Sequence, residues 1–149
     1  MGGLEDIAAL VPATAEIASH LNMEQGTLVL KRYRLQLADH LPYRLIESYY
    51  PSDLFGELLT TDIRDKPLFM WLPERHGLRV SRAQETLIAR PATPRERQLL
   101  RISSGAPVVA LDRTVWTETN RPVEWAHIVA VAGLYTFTYE YDILEWKRN

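Results

Sequence analysis

ATAEIASHLNMEQGTLVLKRYRLQLADHLP, residues 13–42, reads as a short amphipathic helix, a glycine turn and a strand. The strand carries Arg32, Arg34 and Gln36, and a polar turn at Asp39-His40 sends the chain back. The unit occurs twice. A shift of 79 positions carries Ala13-Thr14 onto Ala92-Thr93, Leu21 onto Leu100, Gly26 onto Gly105, Val29 onto Val108, Arg34 onto Arg113 and Asp39 onto Glu118. With one extra residue in the second turn, Pro42 falls on Pro122. A repeat fixes architecture before any single element does, and two copies are too few for a solenoid. One domain built from two related helix–hairpin halves is the expectation.

The remaining chain fits around that unit. Leu4–Val11 is a leader strand or a fragment of helix. Within Ala13–Leu21, Ile17, Ala18 and Leu21 share one helical face. Gly26, able to take a positive φ, closes the turn after it. Along Thr27–Leu37 the odd positions are mostly apolar, while the even face changes from Leu28 and Leu30 to Arg32, Arg34 and Gln36. Such a face passes from core into a cavity or solvent. Pro42–Tyr50 returns as a strand, and Ser52 is placed to cap a helix running to Leu59. Thr60–Lys66 reads as a loop, with Pro67 opening a second short helix, Leu68–Arg75, that Pro73 should shorten or distort. Leu78–Ala89 alternates as a long strand. Thr93-Pro94-Arg95-Glu96 is a helix start with N-cap threonine, N1 proline and a capping-box glutamate. Strands Val108–Thr117 and Pro122–Ala132 follow, and the aromatic-rich Tyr135–Leu144 reads as a last strand. The expected fold is α+β, a roughly six-stranded, mainly antiparallel sheet with three or four short helices.

Composition narrows the function. The 149 residues suit a single domain. A net charge of -2 argues against an extended nucleic-acid surface. There is no cysteine, so disulfides and thiolate chemistry are excluded. No apolar run spans a membrane and the start lacks a signal-peptide pattern, so a cytoplasmic location is the default. Phosphate-loop, Gly-x-Ser-x-Gly and His-Glu-x-x-His patterns are absent. The four histidines stand apart from one another and from carboxylates at ligand spacing; His40 reads as a turn residue and His127 as a strand residue. No metal or cofactor is expected, and no catalytic residue can be nominated.

The arginines are more informative. Arg113 projects from an otherwise apolar face beside Leu111 and Val115, and Glu124 does so beside Ala126 and Ile128. An unpaired charge there would be costly. The hairpin puts the two within diagonal reach, either as a structural ion pair or as part of a ligand cavity. Arg34, the counterpart of Arg113, has no such evident partner. It is either a solvated strand residue or an anion ligand. Tyr49, Phe69 and Trp71 are either core or apolar cavity walls.

These pieces together resemble the UTRA domain of HutC-type regulators in the GntR family. The resemblance rests on Ala15–Leu21, Gly26, Leu30-Lys31-Arg32-Tyr33-Arg34, the Asp39-x-x-Pro42 turn and Ser48-Tyr49-Tyr50-Pro51. It continues through Asp65-Lys66-Pro67-Leu68-Phe69, Gly77–Ala83, Leu99-Leu100, Gly105-Ala106-Pro107-Val108 and Asn120–Trp125. It implies a chorismate-lyase-like fold over residues 4–149, binding of a small effector, a homodimer, and contact with DNA only through a separate N-terminal winged helix not visible in this sequence. The start Met1-Gly2-Gly3 fits a boundary at which such a domain was removed. Arg34 and Glu124 are carried onto effector contacts, with Gln36, Tyr49, Phe69 and Arg82 beside them. Members that bind sugar phosphates often have a second arginine at the Gln36 position, a glutamate near Ile46, serine and tyrosine at Pro67 and Phe69, and tyrosine at Ala130. That polar set is depleted here, which implies a less charged or more apolar effector. The rival class is a small enzyme of chorismate-lyase type; a third reading is a structural dimerisation module.

Overall fold

Six strands form one antiparallel sheet in the computed structural model, which describes residues 2–59 and 68–145. They are β1 (Gly2–Pro12), β2 (Leu28–Ala38), β3 (Leu41–Pro51), β4 (Val80–Pro91), β5 (Pro107–Thr117) and β6 (Pro122–Val131). Their order across the sheet is β1-β2-β3-β6-β5-β4. Helix α1 (Ala15–Leu21) joins β1 to β2, and α4 (Pro94–Leu100) joins β4 to β5. The repeat is therefore a strand–helix–hairpin unit, larger than the helix–hairpin seen in the sequence, with a pseudo-dyad between β3 and β6.

The shift of 79 holds at the level of single hydrogen bonds. Thr14 caps α1 by accepting from the Ile17 N–H, as Thr93 caps α4 by accepting from the Glu96 N–H. Asn22 and Arg101 end the two helices in the left-handed conformation, φ 51° and 56°. Asn22 thus ends α1, and Gly26, at φ 89°, turns the chain into β2. The Ala13 N–H donates to the Thr27 carbonyl just as the Ala92 N–H donates to that of Ala106.

Glu96 completes the capping box. Its carboxylate accepts from the Thr93 N–H at 2.9 Å and from Arg90 at 2.7 and 2.9 Å. The Arg90 hydrogen bonds, against the opposing effect of burial and with help from the Thr93 N–H, lower its pKa to about 2. A carboxyl lowered on folding adds stability above its unfolded pKa, near 4.3, and loses it as pH falls through the folded value. Glu96→Gln should therefore destabilise the domain by about 2 kcal/mol at pH 7, the worth of a charged hydrogen-bonded group. The difference should shrink as pH falls from about 5 toward 2. Urea unfolding of both proteins across that range checks it; a pH-independent difference would show that ionised Glu96 is not the cause.

Helices α1 and α4 cover one face of the sheet, here the helix face. Ile17, Ala18 and Leu21 pack with Val29 and Trp125, and Leu100 packs with Leu35, Leu45, Val108 and Val129. The other face, here the arginine face, is partly covered by α2 (Ser52–Phe55) and α3 (Leu68–His76), whose Leu54, Phe55, Trp71 and Leu72 meet Leu30, Tyr50 and Val115. No described helix is long and apolar enough to cross a membrane.

Four local expectations change. Ser52 is the first residue of α2, has no capping role, and the helix gives way to a 3-10 turn at Gly56–Leu59. Pro73 sits inside α3, which continues to His76; the loop before it and Pro67 lie outside the described residues. A bulge between Val80 and Arg82 shifts the alternation of β4, so Val80 joins the arginine-face core. Tyr135–Leu144 is not a strand. It runs without regular structure to a 3-10 turn at Ile143–Glu145, after Tyr135 and Phe137 have crossed the arginine face.

Candidate functional site

Strand alternation brings the charged residues to one place. On the arginine face β2 presents Arg32, Arg34 and Gln36; β3 presents Arg44, Ile46 and Ser48; β6 presents Glu124 and Ala126; β5 presents Leu111 and Arg113; and β4 presents Glu85. This polar patch lies between two apolar clusters on the same face, one around Tyr50, Phe55 and Leu72, the other around Ile46, Leu111, Ile128 and Phe137.

Glu124 is almost fully buried and accepts a 2.8 Å hydrogen bond from Arg113 Nε. Burial disfavours the Arg113 charge, but the charge and hydrogen bond of Glu124 outweigh it and raise its pKa. The Tyr50 hydroxyl bonds with Glu124 and Ser48; burial first, and then the Glu124 charge, push its pKa up. The register places Arg113 opposite Ala126 and Val115 opposite Glu124, so the pair is diagonal, as expected. Arg32 is buried as well, and Asp6 of β1 holds it through both carboxylate oxygens.

Arg34 is different. Its Nη2 reaches Ser48 Oγ only at 3.5 Å, and its Nε is buried with no acceptor. Burial lowers its pKa. The repeat explains the difference. The diagonal neighbour of Arg113 is Glu124, and the corresponding neighbour of Arg34 is Arg44. Like charges cannot pair, so Arg44 turns to Gln36 Oε1 and to the Tyr135 hydroxyl at 2.9 Å. Asp6, opposite Arg34 in register, is engaged by Arg32.

Two adjoining clefts open beside Arg113. One, of about 350 Å³, is lined by Arg82, Ala83, Glu85, Arg113 and Val115. The other, of about 290 Å³, is lined by Arg44, Glu85, Arg113, Ile128 and the tail from Tyr135 to Tyr139. Arg113 therefore pairs with Glu124 and borders open space as well; Arg34 is not among the lining residues of either cleft.

Of the residues singled out in the sequence, Arg34, Gln36 and Glu124 share the arginine face. Tyr49 does not: it lies on the helix face, 5.5 Å from the Trp125 ring, and its hydroxyl donates to Glu47. Burial and Glu47 push its pKa up to about 12. The adjacent Tyr50 is the tyrosine that reaches the patch. Arg82 stacks on Trp116 at 3.9 Å and bonds Asn120, yet also borders the first cleft. Phe69 belongs to α3 by its backbone; its side chain lies outside the described residues. Ser48, Arg44 and the Asp6–Arg32 pair were missed. No group of three or more metal-ligating side chains occurs among the described residues.

Comparison with known proteins agrees with this architecture. The chain is 29% identical over 135 residues to the HTH-type transcriptional repressor NagR of Bacillus subtilis, covering 91% of this chain and 55% of that protein. It thus spans about half the length of the curated relatives it matches. The ligand-binding domain of a GntR-family regulator from Bordetella bronchiseptica superposes with a TM-score of 0.79 at 26% identity, over 95% of this chain and 90% of that one. The C-terminal domain of the histidine utilization repressor from Pseudomonas syringae shares the fold, with a TM-score of 0.83 at 17% identity over 95% and 99% of the two chains. The profile of the UTRA domain matches residues 7–135, and the chain belongs to that family.

Proposed function

We propose that this domain is the effector-sensing part of a homodimeric GntR-family transcriptional regulator in the cytoplasm, and that its effector is a small monocarboxylate held at Arg34. The observation that carries the reading is the buried Arg34 Nε without an acceptor. An orphaned guanidinium donor disfavours the empty state, and a carboxylate satisfies it in bidentate geometry. Charge sets the class. Arg32 is offset by Asp6 and Arg113 by Glu124, which leaves Arg34 and Arg44 against Glu85, a net charge of +1. A single negative charge balances that patch; a phosphate dianion overshoots it. The monoanion agrees with the depleted polar set at Gln36, Ile46 and Ala130.

Sensing requires that the effector bind one arrangement of the dimer better than the other, typically by about 1–3 kcal/mol. The relatives are named regulators, and no acid–base pair with a free reacting position stands out among the described residues, so an enzymatic role is not part of the proposal. A thermal-shift screen of small carboxylic acids, each beside its carboxamide, tests it. At a concentration 100 times the dissociation constant, stabilisation of about 2.7 kcal/mol is expected for the acid alone. Equal shifts for acid and amide would remove the role given to Arg34.

A further inference from the structure

A cavity of about 590 Å³ lies on the opposite side of the sheet from the arginine patch. It is a groove between α1 and strands β4 and β5, with His20, Gln84, Asp112, Thr114, Trp116 and Trp125 in its walls. We propose that this groove is a second ligand site, for a neutral sugar.

The size is within the range of small-molecule sites, about 300–1,000 Å³. Three features give the chemistry. Trp125 is buried at 7% exposure, yet its indole N–H has no acceptor among the described residues. His20 and Tyr49 stack on that ring, at 4.2 and 5.5 Å between centroids, and hold the indole in place. Trp125 lines the groove, so an acceptor carried by a groove occupant would satisfy it. Secondly, Asp112 is an acceptor, held 2.8 Å from His127 Nδ1, while Thr114 and Gln84 both donate and accept. A hydroxyl group can accept from Trp125 and donate to Asp112; a carboxylate can do only the first. Thirdly, the walls balance in charge, with Asp112 against Arg82, and Arg82 is itself committed to the Trp116 ring and Asn120. The described walls thus present no net charge to an ion. Trp116, braced on one side by Arg82, supplies an apolar ring surface of the kind that packs against sugar C–H groups.

The groove also has a route to the other face. Arg82 borders both it and the cleft beside Arg113. A sugar that moves the Arg82–Trp116 stack changes a wall of the arginine-face cleft without touching Arg34.

The test is indole ¹H–¹⁵N NMR of the full chain titrated with D-glucose, maltose and cellobiose, the four tryptophan signals being assigned with Trp→Phe variants. At least one sugar should move the Trp116 and Trp125 signals saturably below about 10 mM. Gln84→Ala and Thr114→Val should weaken that sugar at least tenfold. Absence of a saturable shift with all three sugars would overturn the proposal. So would loss of the shift in Arg34→Met with Gln84→Ala unaffected, which would place the sugar on the arginine face. Shifts of Trp116 and Trp125 that follow protein concentration without sugar would assign the groove to a second copy of the chain and also overturn it. The effector screen reads binding at Arg34, so either result can fail alone.

Discussion

Glu124→Ala should lower the stability of the domain by about 3–5 kcal/mol, the usual cost of removing one partner from a buried ion pair. Glu124 is only 2% exposed and sits among Arg113, Tyr50 and, through space, Arg32 and Arg34. Its removal leaves three guanidinium groups near one another with the half-buried Asp6 as counter-charge. In a chain of this size the loss corresponds to roughly 10 °C in melting temperature. The cost comes from the charges left behind, so removing both partners should be milder. Arg113→Leu combined with Glu124→Leu should recover at least half of the loss, because well-packed apolar replacements of a buried pair are often neutral. Denaturant unfolding of the single and double variants decides it. A Glu124→Ala protein within about 1 kcal/mol of the parent would mean that the pair is effectively solvated.

That pair, and the frame that holds it, were legible in the sequence because the repeat carries register. The shift of 79 relates the N-caps Thr14 and Thr93, the left-handed residues Asn22 and Arg101, and the arginines themselves. Diagonal reach between Arg113 and Glu124 then follows from a short hairpin. The same arithmetic, continued past the extra residue in the second turn, sets Arg44 in the place of Glu124. That exchange of a carboxylate for a guanidinium is why Arg34 has no ion-pair partner across its hairpin.

Other features were hidden for physical reasons. Tyr49 and Tyr50 are neighbours in a strand, so a one-residue difference in parity moves the aromatic ring to the other face. The β1 strand has no clean alternation at Ile7-Ala8-Ala9-Leu10-Val11, and its pairing with β2 comes from long-range contact. Asp6, which takes Arg32 away from solvent, could not be placed before that pairing was known. The tail failed in the opposite direction. Tyr135, Phe137, Tyr139 and Tyr141 alternate with polar residues as a strand would, but a strand also needs a partner edge. Here the chain crosses over the sheet instead, with Phe137 against Ile46 and Leu111 and the Tyr135 hydroxyl on Arg44.

Arg34→Met should do two opposite things at once. It should stabilise the empty domain by about 1 kcal/mol, since it removes a buried, unsatisfied donor and a charge without a carboxylate partner among the described residues. Methionine matches the length of the aliphatic stem, so little packing is lost. It should also weaken carboxylate binding by a factor of about 100, the worth of a desolvated charge-assisted contact of roughly 3 kcal/mol. The two effects share one cause. A side chain kept at a cost to the folded state is retained for what it binds, and functional positions often trade stability in this way. Arg34→Lys separates charge from geometry: it keeps the cation but loses the planar fork, so it should recover only part of the affinity. Calorimetric titration of the effector, with unfolding of each empty variant, measures both quantities. If Arg34→Met binds the carboxylate as the parent does, the effector is held elsewhere on the face, at Arg113 or Arg44. If it destabilises the empty domain instead, Arg34 is a structural residue, and its weak bond to Ser48 contributes more than its 3.5 Å length implies.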